Sequence, residues 1–109
     1  MPYDEELAAR VRELVDGSGP VEEKPMFGGR AFLLDGHLAV CAGHDGGLLV
    51  RVAAADQEAL LGEHVEPMVM AGRASRTWVR VDPADLDGAR LDAWVARGLD
   101  TAAARPPTG

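Results

Sequence analysis

The sequence predicts an α+β domain, an antiparallel sheet with flanking helices, in the order α-β-β-β-α-β-β-α. Three observations predict it. Apolar residues recur at helical spacing near both ends of the chain: Leu7, Ala8, Val11, Leu14 and Val15 at the start, Leu91, Trp94, Val95 and Leu99 at the finish. Between them lie short apolar runs punctuated by Gly, Asp and Pro, the pattern of strands and tight turns. The polar connections between successive runs are too short for parallel pairing, which needs a crossover of about a dozen residues, so the runs form an antiparallel meander.

Asp4 is placed to cap the first helix and Gly17 to stop it, and Ser18-Gly19-Pro20 reads as a loop. The stretch Lys24 to Gly36 then organises the sheet. Met26-Phe27 runs into Gly28-Gly29, which admit positive φ or a close backbone approach, and Ala31 to Leu34 runs into Asp35-Gly36, the two-residue hairpin signal. His37 to Ala42 is the return strand, and the turn Gly43 to Gly47 delivers Leu48 to Val52 as another. Ala53 to Leu61 is a helix closed by Gly62, too short to stand without packing on the sheet. Val65 to Met70 is a strand in which Pro67 marks an edge or an irregular start, Ala71 to Ser75 is a loop, and Thr77 to Val81 alternates as a half-buried strand. Asp82-Pro83 pairs a cap with a first-turn proline, for a single turn before the last helix begins at Leu86 or Asp87. Residues 1–103 are expected to form one domain and 104–109 a disordered tail.

Acidic residues outnumber basic ones 18 to 11, for a formal charge of -7. Such a field repels phosphate backbones, so direct nucleic-acid binding is not expected. Arg73, Arg76 and Arg80 form the one basic cluster, and salt bridging to the abundant carboxylates accounts for them. A single cysteine, Cys41, excludes a disulfide framework and fits a reducing compartment. No apolar stretch approaches the roughly 20 residues that span a bilayer, and the acidic Asp4-Glu5-Glu6 is unlike a signal peptide, so a cytoplasmic protein without a membrane partner is expected.

One candidate binding site is the corner formed by Met26, Phe27, Gly28, Gly29 and Arg30, with Lys24 before it. Glycine-rich backbone can present N–H groups to an anion, and Lys24 and Arg30 bracket the turn, with Arg51 or Arg73 as further cations. No Lys-Ser/Thr follows as a phosphate-binding loop requires, which favours a conformational corner whose Met and Phe plug the core. Arg51, central in an apolar strand, must snorkel, pair with a carboxylate or line a partner surface. Cys41 would need an adjacent base to act as a nucleophile, and His37, four residues back on the same strand face, is roughly 13 Å away. His37, His44 and His64 with Asp45 and Glu63 match no compact ligand spacing, so no metal and no cofactor is expected. The paired carboxylates Glu5-Glu6 and Glu22-Glu23 sit at a helix start and a strand lead-in, where dipole and solvent explain them.

Glu23-Lys24-Pro25-Met26-Phe27-Gly28-Gly29, Ala31-Phe32, Leu49-Val50-Arg51, Gly72-Arg73, Trp78-Val79-Arg80-Val81 and Leu91-Asp92-Ala93-Trp94-Val95 together resemble the N-terminal domain of the TfoX/Sxy family, over residues 3 to 103. The resemblance implies a fold similar to the type III secretion chaperones, α-β3-α-β2-α, and a stand-alone version of a domain that in longer members accompanies a helical domain and regulates natural-competence genes. Ser75 and Thr77 replace the Met and Gly common in that loop of the family. No catalytic residues come with the resemblance. The expectation is a non-enzymatic regulatory module that binds a protein partner or itself as a homodimer; the alternative is a small-molecule or anion binder using the Met26–Arg30 corner.

Overall fold

The computed structural model describes residues 5–17, 19–26, 28–43 and 45–104. Helix α1 (Glu5–Val15) buries Leu7, Ala8, Val11 and Val15 on one stripe, and Gly17 at φ 85° ends it in a conformation that favours glycine. Its expected cap, Asp4, lies outside the described residues. Strands β1 (Val21–Met26), β2 (Gly29–Leu34), β3 (His37–Ala42) and β4 (Leu48–Arg51) follow as an antiparallel meander. Four strands thus precede the second helix where the expected order counts three, because β1 and β2 are complete strands on either side of the glycine corner.

Asp35 and Gly36 both take positive φ (52° and 82°) between the paired Leu34 and His37, the two-residue hairpin expected there. The two corner glycines divide their labour. Gly28 turns the chain at φ 74°, whereas Gly29 gives room: a Cβ there would lie 2.0 Å from the Ala42 carbonyl oxygen of the neighbouring β3.

Helix α2 (Ala54–Leu60), strands β5 (Val65–Met70) and β6 (Arg73–Val81), a 3₁₀ turn (Pro83–Asp85) and helix α3 (Gly88–Ala103) complete the chain. Strand β6 begins at Arg73 instead of Thr77, since Ala71 and Gly72, at φ 53° and 79°, make a tight hairpin of the expected loop. Asp82 caps the 3₁₀ turn by accepting from the Ala84 N–H at 3.4 Å, as its place before Pro83 predicts. Residues 105–109 of the expected tail lie outside the described residues.

The six strands form one antiparallel sheet in the order β1-β2-β3-β4-β6-β5. Helix α2 carries the chain over β6 from β4 to β5. One face of the sheet, with Phe32, Val40, Leu48, Val50, Val79 and Val81, packs against Leu7 and Val11 of α1 and Leu91 and Val95 of α3, and Leu60 of α2 joins the same cluster. The other face carries a smaller cluster of Ala31, Leu33 and Cys41 flanked by Met26, Leu38 and Leu49, with no helical residue in it among the described residues.

The longest span of irregular pairing is in β6, where the register against β5 slips between Pro67 and Val69. The chain's one glutamine covers it. The Gln57 side-chain amide donates to the carbonyls of Ser75 (2.6 Å) and Trp78 (3.0 Å). Gln57→Leu, which keeps bulk and removes both donors, is expected to cost about 1–3 kcal/mol by stranding these half-buried carbonyls, read as a lower urea midpoint with an unchanged slope.

Candidate interaction surfaces

Strand register decides which of the candidate side chains meet. Lys24 pairs with Ala31, Pro25 with Arg30 and Met26 with Gly29. Alternation therefore puts Lys24 and Met26 on the helix-free face with Ala31, and Arg30 on the helix-bearing face with Glu23. Lys24 is exposed, 3.8 Å from Glu22. Arg30 instead donates to Glu23 at 2.9 Å, and Glu23 also receives both Nε and Nη2 of Arg12 from α1, each at 2.7 Å. Gly28 and Gly29 form the corner itself, and Phe27 lies outside the described residues.

Arg51 sits on the helix-free face, its guanidinium 5.4 Å from the ring centroid of Trp78, the residue opposite it on β6. At that distance the guanidinium and the indole are within cation–π range. It lies three residues beyond Leu48, roughly 10 Å along the strand from the end of the sheet that holds the glycine corner. Arg73 opens β6 at the Ala71-Gly72 hairpin, beyond Trp78 at that same far end, and is exposed. The fold thus gathers Lys24, Met26, Gly28, Gly29 and Arg30 at one end of the sheet, on two faces, and leaves Arg51 and Arg73 at the other.

The Glu23 clamp joins α1 to β1 and β2. The hydrogen bonds from Arg12, reinforced by those from Arg30, bring the Glu23 pKa down from 4.5 to about 2 against the opposing effect of burial. A carboxylate depressed in the folded state stabilises above its unfolded pKa and loses that contribution as pH falls through the folded one. Glu23→Gln is expected to lower stability at pH 7 by about 1–2 kcal/mol, once screening around the half-exposed Arg12 is allowed for. In urea titrations the gap between variant and parent should close as pH drops from 4.5 towards 2.

Cys41 is fully buried, its thiol pushed up to about 11 by desolvation and its Sγ 3.6 Å from the Met26 carbonyl oxygen. The pairing of β2 with β3 slips between Phe32 and Leu33, and the extra residue in β3 reverses the alternation. Leu38 and Cys41 share the helix-free face, while His37 pairs with Leu34 on the other. His37 and Cys41 therefore do not share a face, contrary to the expectation from simple spacing. Among the described residues no three His, Cys, Asp or Glu side chains converge to hold a metal ion; His44 lies outside them. Asp45 does something else: it accepts from the Gly47 N–H at 3.0 Å and from Arg80 Nη2 at 2.6 Å, which holds its pKa below the usual range and ties the turn to β6.

A surface the sequence gives no hint of lies between α2 and α3. This groove of about 650 Å³ is lined from α2 by Asp56 and Leu60 and from α3 by Ala93, Trp94, Ala96 and Arg97, among others. At one end Asp85 accepts from Trp94 Nε1 (3.2 Å) and from Arg90 Nη1 (3.0 Å), which fixes the half-buried indole. Farther along, Arg97 Nη1 stands 3.9 Å from Asp56 Oδ2, an open ion pair between two solvated side chains.

Among the described residues, three helices against one face of a six-stranded antiparallel sheet, with a groove where two of the helices part, define a small α+β domain. The sequence profile of the TfoX N-terminal domain matches residues 13–102, and the chain belongs to that family. No curated protein and no solved structure matches it. No helix among the described residues is long and apolar enough to cross a membrane.

Proposed function

We propose that the chain is a non-enzymatic regulatory module, similar to the N-terminal domain of competence regulators, that acts in the cytoplasm by binding a protein partner or a second copy of itself. The observation that carries this reading is the family match over residues 13–102, which takes in the whole sheet, α2 and nearly all of α3. The groove between those two helices supports it, because a half-buried Trp flanked by Arg is the side-chain chemistry of protein interfaces. The charge of -7 argues that any effect on transcription runs through a partner and not through direct contact with DNA.

Anion binding at the Met26–Arg30 corner has less behind it. Lys24 and Arg30 lie on opposite faces, and Arg30 is engaged with Glu23.

The test is affinity capture on the immobilised chain from lysate of its source organism, with each retained protein then purified and recombined with the chain. A pair that reforms at fixed stoichiometry, or light scattering at twice the 11.5 kDa of one chain, supports the reading. A monomer that reforms no complex overturns it.

A further inference from the structure

We propose that the helix-free face of the sheet is where a second copy of this chain docks, sheet against sheet, an inference that rests on the interaction-module reading and names the partner. Register lays one row of side chains straight across that face: Lys24, Ala31, Cys41, Leu49, Arg80 and Glu66, each paired with the next across the six strands. A second row holds Glu22, Leu33 and Leu38 on β1 to β3, and Arg51 with Trp78 on β4 and β6. The face is thus apolar over its middle strands and charged towards both edges, the layout of an interface with a dry centre and a polar rim. An antiparallel sheet that meets water on one side usually carries polar residues there. This one places Leu33, Leu38 and Leu49 on that side, with no helical residue over them among the described residues.

Two features select a second copy. The first is sign. The first row starts with Lys24 at the β1 edge and ends with Glu66 at the β5 edge, both exposed. Five strand spacings, roughly 24 Å, separate them. A two-fold axis parallel to the strands, between β3 and β4, sets β1 of each copy over β5 of the other, so Lys24 meets Glu66 of the second copy at both ends. The rows are also electrically balanced, with Glu22, Glu66 and the Arg80-bound Asp45 against Lys24, Arg51 and Arg80. Two chains of net charge -7 repel as wholes, yet these faces meet without adding to the repulsion.

The second feature is shape. Cys41 and Ala31 are small and fully buried, a floor between the taller Leu33, Leu38 and Leu49. The same axis puts Leu49 of each copy over Cys41 of the other, so a projecting leucine finds a shallow seat, twice. Six strands of about six residues give a plan of roughly 24 by 20 Å, about 500 Å² from each copy, which with side-chain relief reaches the low end of specific interfaces, about 1,200 Å² in total. The dimer is therefore a weak one.

Sedimentation velocity on the full chain, from about 5 µM to about 1 mM, reads the association. The mass is expected to rise from 11.5 kDa towards twice that value. In NMR spectra over the same range the Trp78 indole N–H and the amides of Leu33, Leu38 and Leu49 should shift, and the Trp94 indole on α3 should not. Lys24→Glu and Glu66→Lys should each weaken association about tenfold, the second even though it moves the net charge towards zero. Mixed together, the two variants should associate within about twofold of the parent, because each mixed pair again opposes unlike charges at both ends. Glu13→Lys, exposed on α1 with the same change of charge, is the control and should alter association less than about twofold.

A chain that stays monomeric at the highest concentration, shifts confined to the helices, an unaffected Glu66→Lys, a mixture no stronger than its components, or an equal loss in Glu13→Lys would each overturn the proposal. The module reading falls separately, through the recombination of purified pairs. A monomer that reforms a complex of fixed stoichiometry with a purified partner keeps that reading and removes this one.

Discussion

Gly29→Ala is expected to unfold a large share of the molecule, with a loss of about 3 kcal/mol or more out of the 5–15 kcal/mol that holds a typical domain. The added Cβ would lie 2.0 Å from the Ala42 carbonyl oxygen, 3.0 Å from its carbon and 3.1 Å from the Gly43 Cα, all of them backbone. No rotamer change can relieve an overlap with main-chain atoms, so the β2–β3 pair must part at its end, where Arg30 pairs with Ala42. That end also carries Arg30 into the Glu23 clamp, so the damage reaches the α1 attachment. Gly62→Ala, with open space around its Cβ position, is the control and should be close to neutral. Denaturant midpoints of the two variants check the claim; a Gly29→Ala protein as stable as Gly62→Ala would show that the close approach at the corner does not matter.

How much of this was legible in the chain depends on how local each signal is. Asp35-Gly36 declares its hairpin because the two residues that accept positive φ stand side by side between apolar runs. Ala71-Gly72 makes an equivalent turn but hides it, since Ala71 is held at φ 53° by the β5–β6 pairing and not by its own preference. The extra residue in β3 that separates His37 from Cys41 has no sequence mark at all, because alternation fails silently where tertiary packing of Ala39 against α3 sets the register. Nothing local marks Gln57, and only the slipped register of β6 reveals what its amide serves. The α2–α3 groove was the least legible feature. Its walls come from segments some 30–50 residues apart, and the small side chains that open it, Ala93 and Ala96, carry no signal beyond helix propensity. The candidate corner was legible as a shape and misleading as a charge cluster, because Lys24 and Arg30 are six residues apart yet on separate strands whose register assigns them opposite faces.

Gly98→Ala tests a close approach of α3 to β3, and two effects of opposite sign compete there. Alanine inside α3 should gain about 1 kcal/mol of helix propensity over glycine. Against that, the new Cβ would fall 2.6 Å from both the Ala39 carbonyl oxygen and the Val40 Cγ1, with the Ala39 carbonyl carbon at 3.2 Å. Val40 is fully buried, and Ala39 belongs to the irregular part of β3. The helix must lift instead, and Leu91, Val95 and Ala102 ride on it, so separation at one residue loosens packing along the length of α3. Overpacking wins, with a net loss of about 2 kcal/mol and a fall in Tm on the order of 10 °C for a domain of this size. Calorimetry on Gly98→Ala and on the double variant with Val40→Ala separates the two contacts. If the side chain were the main obstacle, the second substitution would recover part of the loss caused by the first, and if the Ala39 carbonyl decides, the two losses simply add. The carbonyl is expected to decide, because a methyl group can be removed from the path of the new Cβ but a main-chain carbonyl cannot.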